Sequence, residues 1–150
     1  MSWIAPITDR TAADVANRTA RGFLNAADFN RIEGNISWLA DELVRFNIFA
    51  GITSVVSWNQ TKLPTIADLQ RIRNNIVTLA THAFRIRPDL WFQLLTITDT
   101  HFRQLDFTTV NMLETNIFML RRMTDRMPVI YRQANSFQAG QQLFLPQRRA

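Results

Sequence analysis

The chain has 150 residues, of which 47% are apolar and 19% charged, enough for one domain with a real core and too apolar for a disordered polymer. It has no cysteine, which excludes disulfides, thiolate metal sites and cysteine nucleophiles. Its formal charge of +5 lies at one end: residues 121–150 hold Arg121, Arg122, Arg126, Arg132, Arg148 and Arg149 against Asp125, while residues 1–120 hold eleven basic and eleven acidic groups and are neutral.

The N-terminus, Met1-Ser2-Trp3-Ile4-Ala5-Pro6, has neither a basic region nor an apolar run, so no signal peptide is expected. No stretch approaches the roughly 18 uninterrupted apolar residues of a membrane span, and none is expected. Thr11-Ala12-Ala13-Asp14 reads as a capping box opening a short helix that Gly22 ends.

From there the chain is organised by an internal repeat. Asp28–Leu39, Asp68–Leu79 and Thr109–Leu120 align without gaps, 40 and 41 residues apart. Each places apolar residues at i, i+3, i+7 and i+10: Phe29, Ile32, Ile36 and Leu39; Leu69, Ile72, Ile76 and Leu79; Val110, Leu113, Ile117 and Leu120. That spacing forms one stripe of a helix. Asn25, Thr65 and Asp106 precede the copies at equivalent positions and suit N-caps. Burial of one stripe cannot offset the backbone entropy of ordering its helix, so the copies must share a core. The expected helices lie near 26–48, 66–84 and 107–124.

Between them, Gly51 to Pro64 has no helical period and reads as a long loop containing Trp58. Pro88 would open a further helix, weakened by Thr96, Ile97 and Thr98. After Pro128 the pattern dissolves. The expected fold is therefore mainly α: three repeated amphipathic helices packed in a small bundle, with long loops and an extended C-terminal arm. The domain would span 1–128, with repeats near 24–48, 63–84 and 105–124, and the arm 129–150.

The repeat also conserves polar positions within the chain. Asn35, Asn75 and Asn116 lie beside the buried stripe, and a buried asparagine must find partners. They either pin the helices in register or line a central polar ligand site. Arg31 and Arg71 follow Asp28 and Asp68 by one turn and suit solvated or inter-helix salt bridges; Met112 replaces them in the third copy, against a shared catalytic duty. Glu33 and Glu114 are equivalent, but Arg73 interrupts a carboxylate cluster. Trp38 suits the core. Met112, Met119, Met123 and Met127 suit core filling, with a soft partner groove as the alternative. Trp3 and Trp58 fall in irregular segments and are candidates for partner binding, with Arg132, Phe137, Leu143, Phe144, Leu145, Arg148 and Arg149 of the arm.

His82 and His101 have no second ligand at metal spacing, and there is no phosphate loop or hydrolase motif, so no enzymatic activity, cofactor or metal is expected.

Two stretches, Trp3-Ile4-Ala5-Pro6-Ile7-Thr8-Asp9-Arg10-Thr11 and Leu24-Asn25-Ala26-Ala27-Asp28-Phe29-Asn30-Arg31-Ile32-Glu33-Gly34-Asn35-Ile36, resemble a pattern in tail, baseplate or fibre-associated structural proteins of phages and prophages of Gram-positive bacteria. Pro64–Asn75 is similar to the second helical segment of those proteins, and Ser136–Gly140 faintly to their C-terminal stretch. Phe29 stands where leucine is usual. The resemblance implies a virion protein, assembled in the host cytoplasm, acting through contacts with other virion proteins and as a homo-oligomer, with no catalytic residue to carry over. The alternative is a small basic module binding nucleic acid through its Arg-rich C-terminus. Against it, the neutral body lacks the basic face of a groove-reading helix, so nucleic acid is not the expected partner.

Overall fold

In a computed structural model of the chain, the described residues are 2–22, 24–62, 64–84 and 105–142, without the side chains of 82–84 and 128–142. They form four helices: α1 (Ala12–Ala16), α2 (Ala26–Val44), α3 (Ile66–Phe84) and α4 (Phe107–Gln142). The long helices α2, α3 and α4 each pack against the other two. All twelve stripe residues are buried and meet in one cluster, joined by Leu43, Trp58, Ala80 and Met127. The protein is mainly α, with the three repeated helices bundled as the periodicity predicts.

Each repeat starts the way its sequence directs. Asn25 accepts from the backbone N–H of Ala27 and Asp28, and Asp28 Oδ2 returns the favour to the Asn25 N–H at 3.0 Å. Thr65 and Asp68 form the same reciprocal box. The third copy inverts it: Asp106 is the cap, accepting from the Thr109 N–H at 2.8 Å. These are the orphan donors of a first helical turn, satisfied locally.

Three boundaries differ from the periodicity. α1 ends at Ala16 rather than at Gly22, because Arg18 turns left-handed (φ 52°) and the chain folds back. Gly22 closes that return so tightly that a Cβ there would lie 2.1 Å from the Asp14 carbonyl oxygen. α2 stops at Val44, not near 48. The N–H of Asn47 bonds to the Val44 carbonyl at 2.9 Å and that of Ile48 to the Leu43 carbonyl at 3.1 Å, with Asn47 left-handed at φ 59°. That is a Schellman closure with asparagine in place of glycine.

The third difference is the C-terminal one. α4 passes through Pro128 to Gln142, so the backbone of 129–142, expected as an extended arm, is helical. Proline leaves the carbonyl four residues earlier, that of Thr124, without its donor, at about 3 kcal/mol or more. α4 has 36 residues against 19 in each partner helix. At ~1.5 Å per residue it is about 54 Å long against about 28 Å. Residues 129–142 thus continue the third repeated helix, which outruns its partners in length. Residues 143–150 and the helix expected after Pro88 lie outside the described residues, as does His101.

The caps make a pH prediction. The Thr11 hydroxyl and N–H hold the Asp14 carboxyl below its ordinary 3.8. Burial would raise Asp68, but the Thr65 N–H and hydroxyl and the Arg71 guanidinium outweigh it. Burial would likewise raise Asp106, and the Thr109 N–H and hydroxyl outweigh it. Groups with depressed folded values stabilise the fold above their unfolded pKa and lose that contribution as pH falls through the folded one. Stability should therefore be level above about pH 5 and decline below about pH 4. Asp68→Asn should flatten that slope in urea melts taken across pH; an unchanged slope would remove Asp68 from the account.

Candidate functional site

The connectors run through the grooves between helices, and the repeated polar residues hold them there. The Ile4 N–H donates to Asn35 Oδ1 at 2.9 Å, and Asn35 Nδ2 donates to the Ile4 carbonyl at 2.7 Å. Asn75 brackets Thr53 in the same way, at 3.3 and 2.7 Å. One and a half turns earlier on the helices, Asn30 brackets Trp58 at 2.9 and 2.9 Å, and Asn111 brackets Arg10 at 3.2 and 2.8 Å. An asparagine side chain presents one acceptor and a donor, the same pair as a neighbouring strand, so it can stand in for one.

These brackets fix directions. The N-terminal segment passes from Asn35 towards Asp28 on α2 and from Glu114 to Asn111 on α4, so it runs against both helices, and they run parallel. Parallel helices need a return segment between them. The connector before α3 likewise runs against α2, Val55 bonding to Glu33 and Trp58 to Asn30, which takes a longer segment than a short turn.

Two buried glutamates lie under the brackets. Glu114 is 1% exposed in its side chain. Its Oε1 accepts from Arg10 Nη2 at 2.9 Å and Arg31 Nη2 at 2.7 Å; its Oε2 accepts from Arg31 Nε at 3.0 Å and the Ile7 N–H at 2.7 Å. Glu33, fully buried, repeats the pattern one groove round. Its Oε1 accepts from Trp58 Nε1 at 3.0 Å and Arg71 Nη2 at 2.9 Å; its Oε2 accepts from the Val55 N–H at 2.7 Å and from Arg71 Nη1. Each carboxylate thus fills about four acceptor positions, its full complement. The sources also match: a forked arginine from the adjacent helix, one backbone N–H of the groove segment, and one side-chain donor from that segment, Arg10 or Trp58.

Asp28 and Asp68 complete the clusters, accepting from Arg31 at 2.5 Å and Arg71 at 3.1 Å; Asp28 also accepts from Arg10 at 2.9 Å. Burial would lower the pKa of Arg31, but Glu114 and Asp28 raise it overall. The forked bond to Glu33 raises that of Arg71. Both arginines are fixed cations, suited to clamping and not to proton transfer.

The third pair in this cycle is altered at both ends. Positions 112 and 73 correspond to Arg31/Arg71 and to Glu33/Glu114, and they carry Met112 and Arg73. Two arginines would have met without a carboxylate, and methionine removes one of them. Asn116 donates to the carbonyl of Met112 on its own helix at 2.7 Å.

The tryptophans separate. Trp58, expected at a partner surface, is corrected: it is 4% exposed, packed on Phe29 at 5.0 Å between ring centroids, and its indole serves Glu33. Lys62 covers its ring at 4.5 Å. Trp3 is half-buried edge-on to Trp38 at 5.4 Å, with the Arg121 guanidinium 3.9 Å over Trp38. Trp38 is therefore at the core's margin, not in it. Of the methionines, Met127 is buried and Met112 packs on the core, while Met119 is exposed. The side chains of His82, Arg132 and Phe137 lie outside the described residues, as do Leu143, Phe144, Leu145, Arg148 and Arg149. Among the described residues no three metal-ligating side chains converge, and no helix is long and apolar enough to cross a membrane.

No protein-family model matches the chain, no curated protein matches it, and no solved structure matches it.

Removing one partner from a buried, paired charge strands the other. Glu114→Ala should cost about 3–5 kcal/mol of stability, and Asn35→Ala or Asn75→Ala about 1–3 kcal/mol, since each leaves a backbone donor and acceptor unpaired. Denaturant unfolding measures all three. Losses near zero for the asparagine variants would show that water replaces the brackets freely.

Proposed function

We propose that the protein is a non-enzymatic structural component of a phage virion, in a tail, baseplate or fibre-attachment position, acting by protein–protein assembly. The observation that supports this best concerns the two stretches carrying the resemblance. They are one structural unit: Ile4 is bracketed by Asn35, and Arg10 is bonded to Asp28. The pattern therefore encodes the seating of an N-terminal segment on a helix, an architectural task. The buried charged residues serve the same end, holding groove segments in place.

What the body leaves outside suits assembly. Phe49, Ile4, Val44, Phe118 and Met119 are exposed apolar side chains. α4 extends past its partners, and the chain's net positive charge lies in residues 121–150.

Mass spectrometry of purified particles should find the protein in stoichiometric amount with other tail proteins. Deleting residues 136–150 should leave the isolated domain helical and stop its incorporation into particles. A truncated chain that unfolds would instead place the arm in the protein's own core. Separately, the full chain should bind DNA little at physiological salt. Tight binding that falls steeply with salt, and vanishes without residues 129–150, would replace assembly with nucleic-acid binding.

A further inference from the structure

A cleft of ≈ 410 Å³ opens on the outer side of α2, lined by Ser37, Ala40, Asp41 and Val44 of the helix and by the segment from Phe49 to Ser54. The repeat explains why it is open. Ser37 and Ala40 are equivalent to Phe118 and Arg121 of α4. At that equivalent place the Arg121 guanidinium lies over Trp38 and Trp3, while Phe118 stays exposed. On α2 two small residues leave the space unfilled.

The cleft has three features that ask for a ligand of one kind. Its rim is apolar and exposed, with Phe49 73% and Val44 46% accessible. The Ser54 hydroxyl is buried without a hydrogen-bond partner among the described residues. Asp41 is exposed and makes no ion pair among the described residues, whereas its neighbour Glu42 is paired with Arg45 at the helix end. That end of a helix favours a cation. The matching ligand is an apolar segment followed by basic residues.

The chain contains one: Leu143-Phe144-Leu145-Pro146-Gln147-Arg148-Arg149, directly after α4. It cannot reach its own cleft. By repeat equivalence the cleft lies level with Phe118–Asp125 of α4, and Gln142 is 17 residues further on. That is about 26 Å along a helix. Leu145, three residues past Gln142, reaches back at most about 11 Å when fully extended. We therefore propose that residues 143–149 of one copy dock in the α2 cleft of a second copy, the apolar block against Val44 and Phe49 and the arginines towards Asp41. The inference rests on the assembly reading above and names the partner as the protein itself. Each copy has one cleft and one tail, so the contact is head-to-tail and builds a ring where the rotation closes and a filament where it does not.

Sedimentation equilibrium of the full chain tests this, with variants whose changes lie at exposed positions. The wild type should associate reversibly. Deletion of 143–150, Phe49→Asp and Asp41→Arg should each weaken association by about tenfold or more. Asp41→Arg combined with Arg148→Asp and Arg149→Asp should recover it. A wild-type chain that stays monomeric at every concentration overturns the proposal. So does association that survives deletion of 143–150, which would give the cleft another occupant or none. A monomeric chain that is still present in purified particles would sink the exchange between copies and leave the virion reading standing. An associating chain absent from particles would do the reverse.

Discussion

The interaction on which the rest of the structure depends is the four-donor saturation of a buried glutamate. A carboxylate taken out of water costs several kcal/mol unless it is fully paired. Glu33 and Glu114 meet that demand by recruiting three different parts of the chain each: the next helix, the groove backbone and a groove side chain. The apolar stripes alone would bring three helices together, but a stripe of Ile and Leu tolerates sliding and rotation. A forked arginine bond does not. Arg31 to Glu114 and Arg71 to Glu33 therefore set the level of α4 against α2 and of α2 against α3. The groove segments then follow, because they supply the remaining donors.

The internal repetition is a repetition of this clamp, with its fourth donor free to vary. Arg10 and Trp58 differ in every chemical respect except that each offers an N–H at the same place. The first gives a cation, balanced by Asp28; the second is neutral, and its cluster has one arginine fewer. The first cluster is neutral, Arg10 and Arg31 against Asp28 and Glu114, whereas the second sets Arg71 against Glu33 and Asp68 and keeps one carboxylate in excess. At the third position glutamate and arginine have both been lost, to Arg73 and Met112, which is the change expected of two residues that answer to each other. The bundle has the outline of a threefold object made from one chain, with one groove built on different chemistry.

Much of this was legible from the sequence. Every stripe residue named from spacing is buried, and the N-caps at Asn25, Thr65 and Asp106 act as caps, since both signals are local. The long connectors were visible as stretches without period. Their role was not, because a bracket joins residues such as Arg10 and Asn111 that share no local pattern. Asn30 and Asn111 were equivalent in the alignment and could have been singled out beside Asn35, Asn75 and Asn116. Arg73 interrupts the Glu33/Glu114 set, and that break falls together with the break at Met112. Trp58 was misplaced because an irregular segment reads as surface, when this one lies in a groove. The apolar pattern dissolves after Pro128, yet the backbone continues as helix to Gln142, so lapse of the stripe does not mark the helix end.

The sequence separations in the clamp bear on how the fold is reached. Ile7 donates to Glu114 across 107 residues, and Arg31 to the same carboxylate across 83. Val55 and Trp58 reach Glu33 across 22 and 25. The α2–α3 groove can therefore close early and at modest loop-closure cost, whereas the groove between α2 and α4 must wait for the last helix. Until then the N-terminal segment can be tied to α2 only through Asn35, the Arg10–Asp28 pair and the Trp3–Trp38 contact. Docking of α4 completes Glu114's four donors and seats that segment in one step. The N-terminus and the third helix, which bears the C-terminal extension, are thus secured by the same event. A partner surface built from those two elements would exist only once the whole bundle had formed.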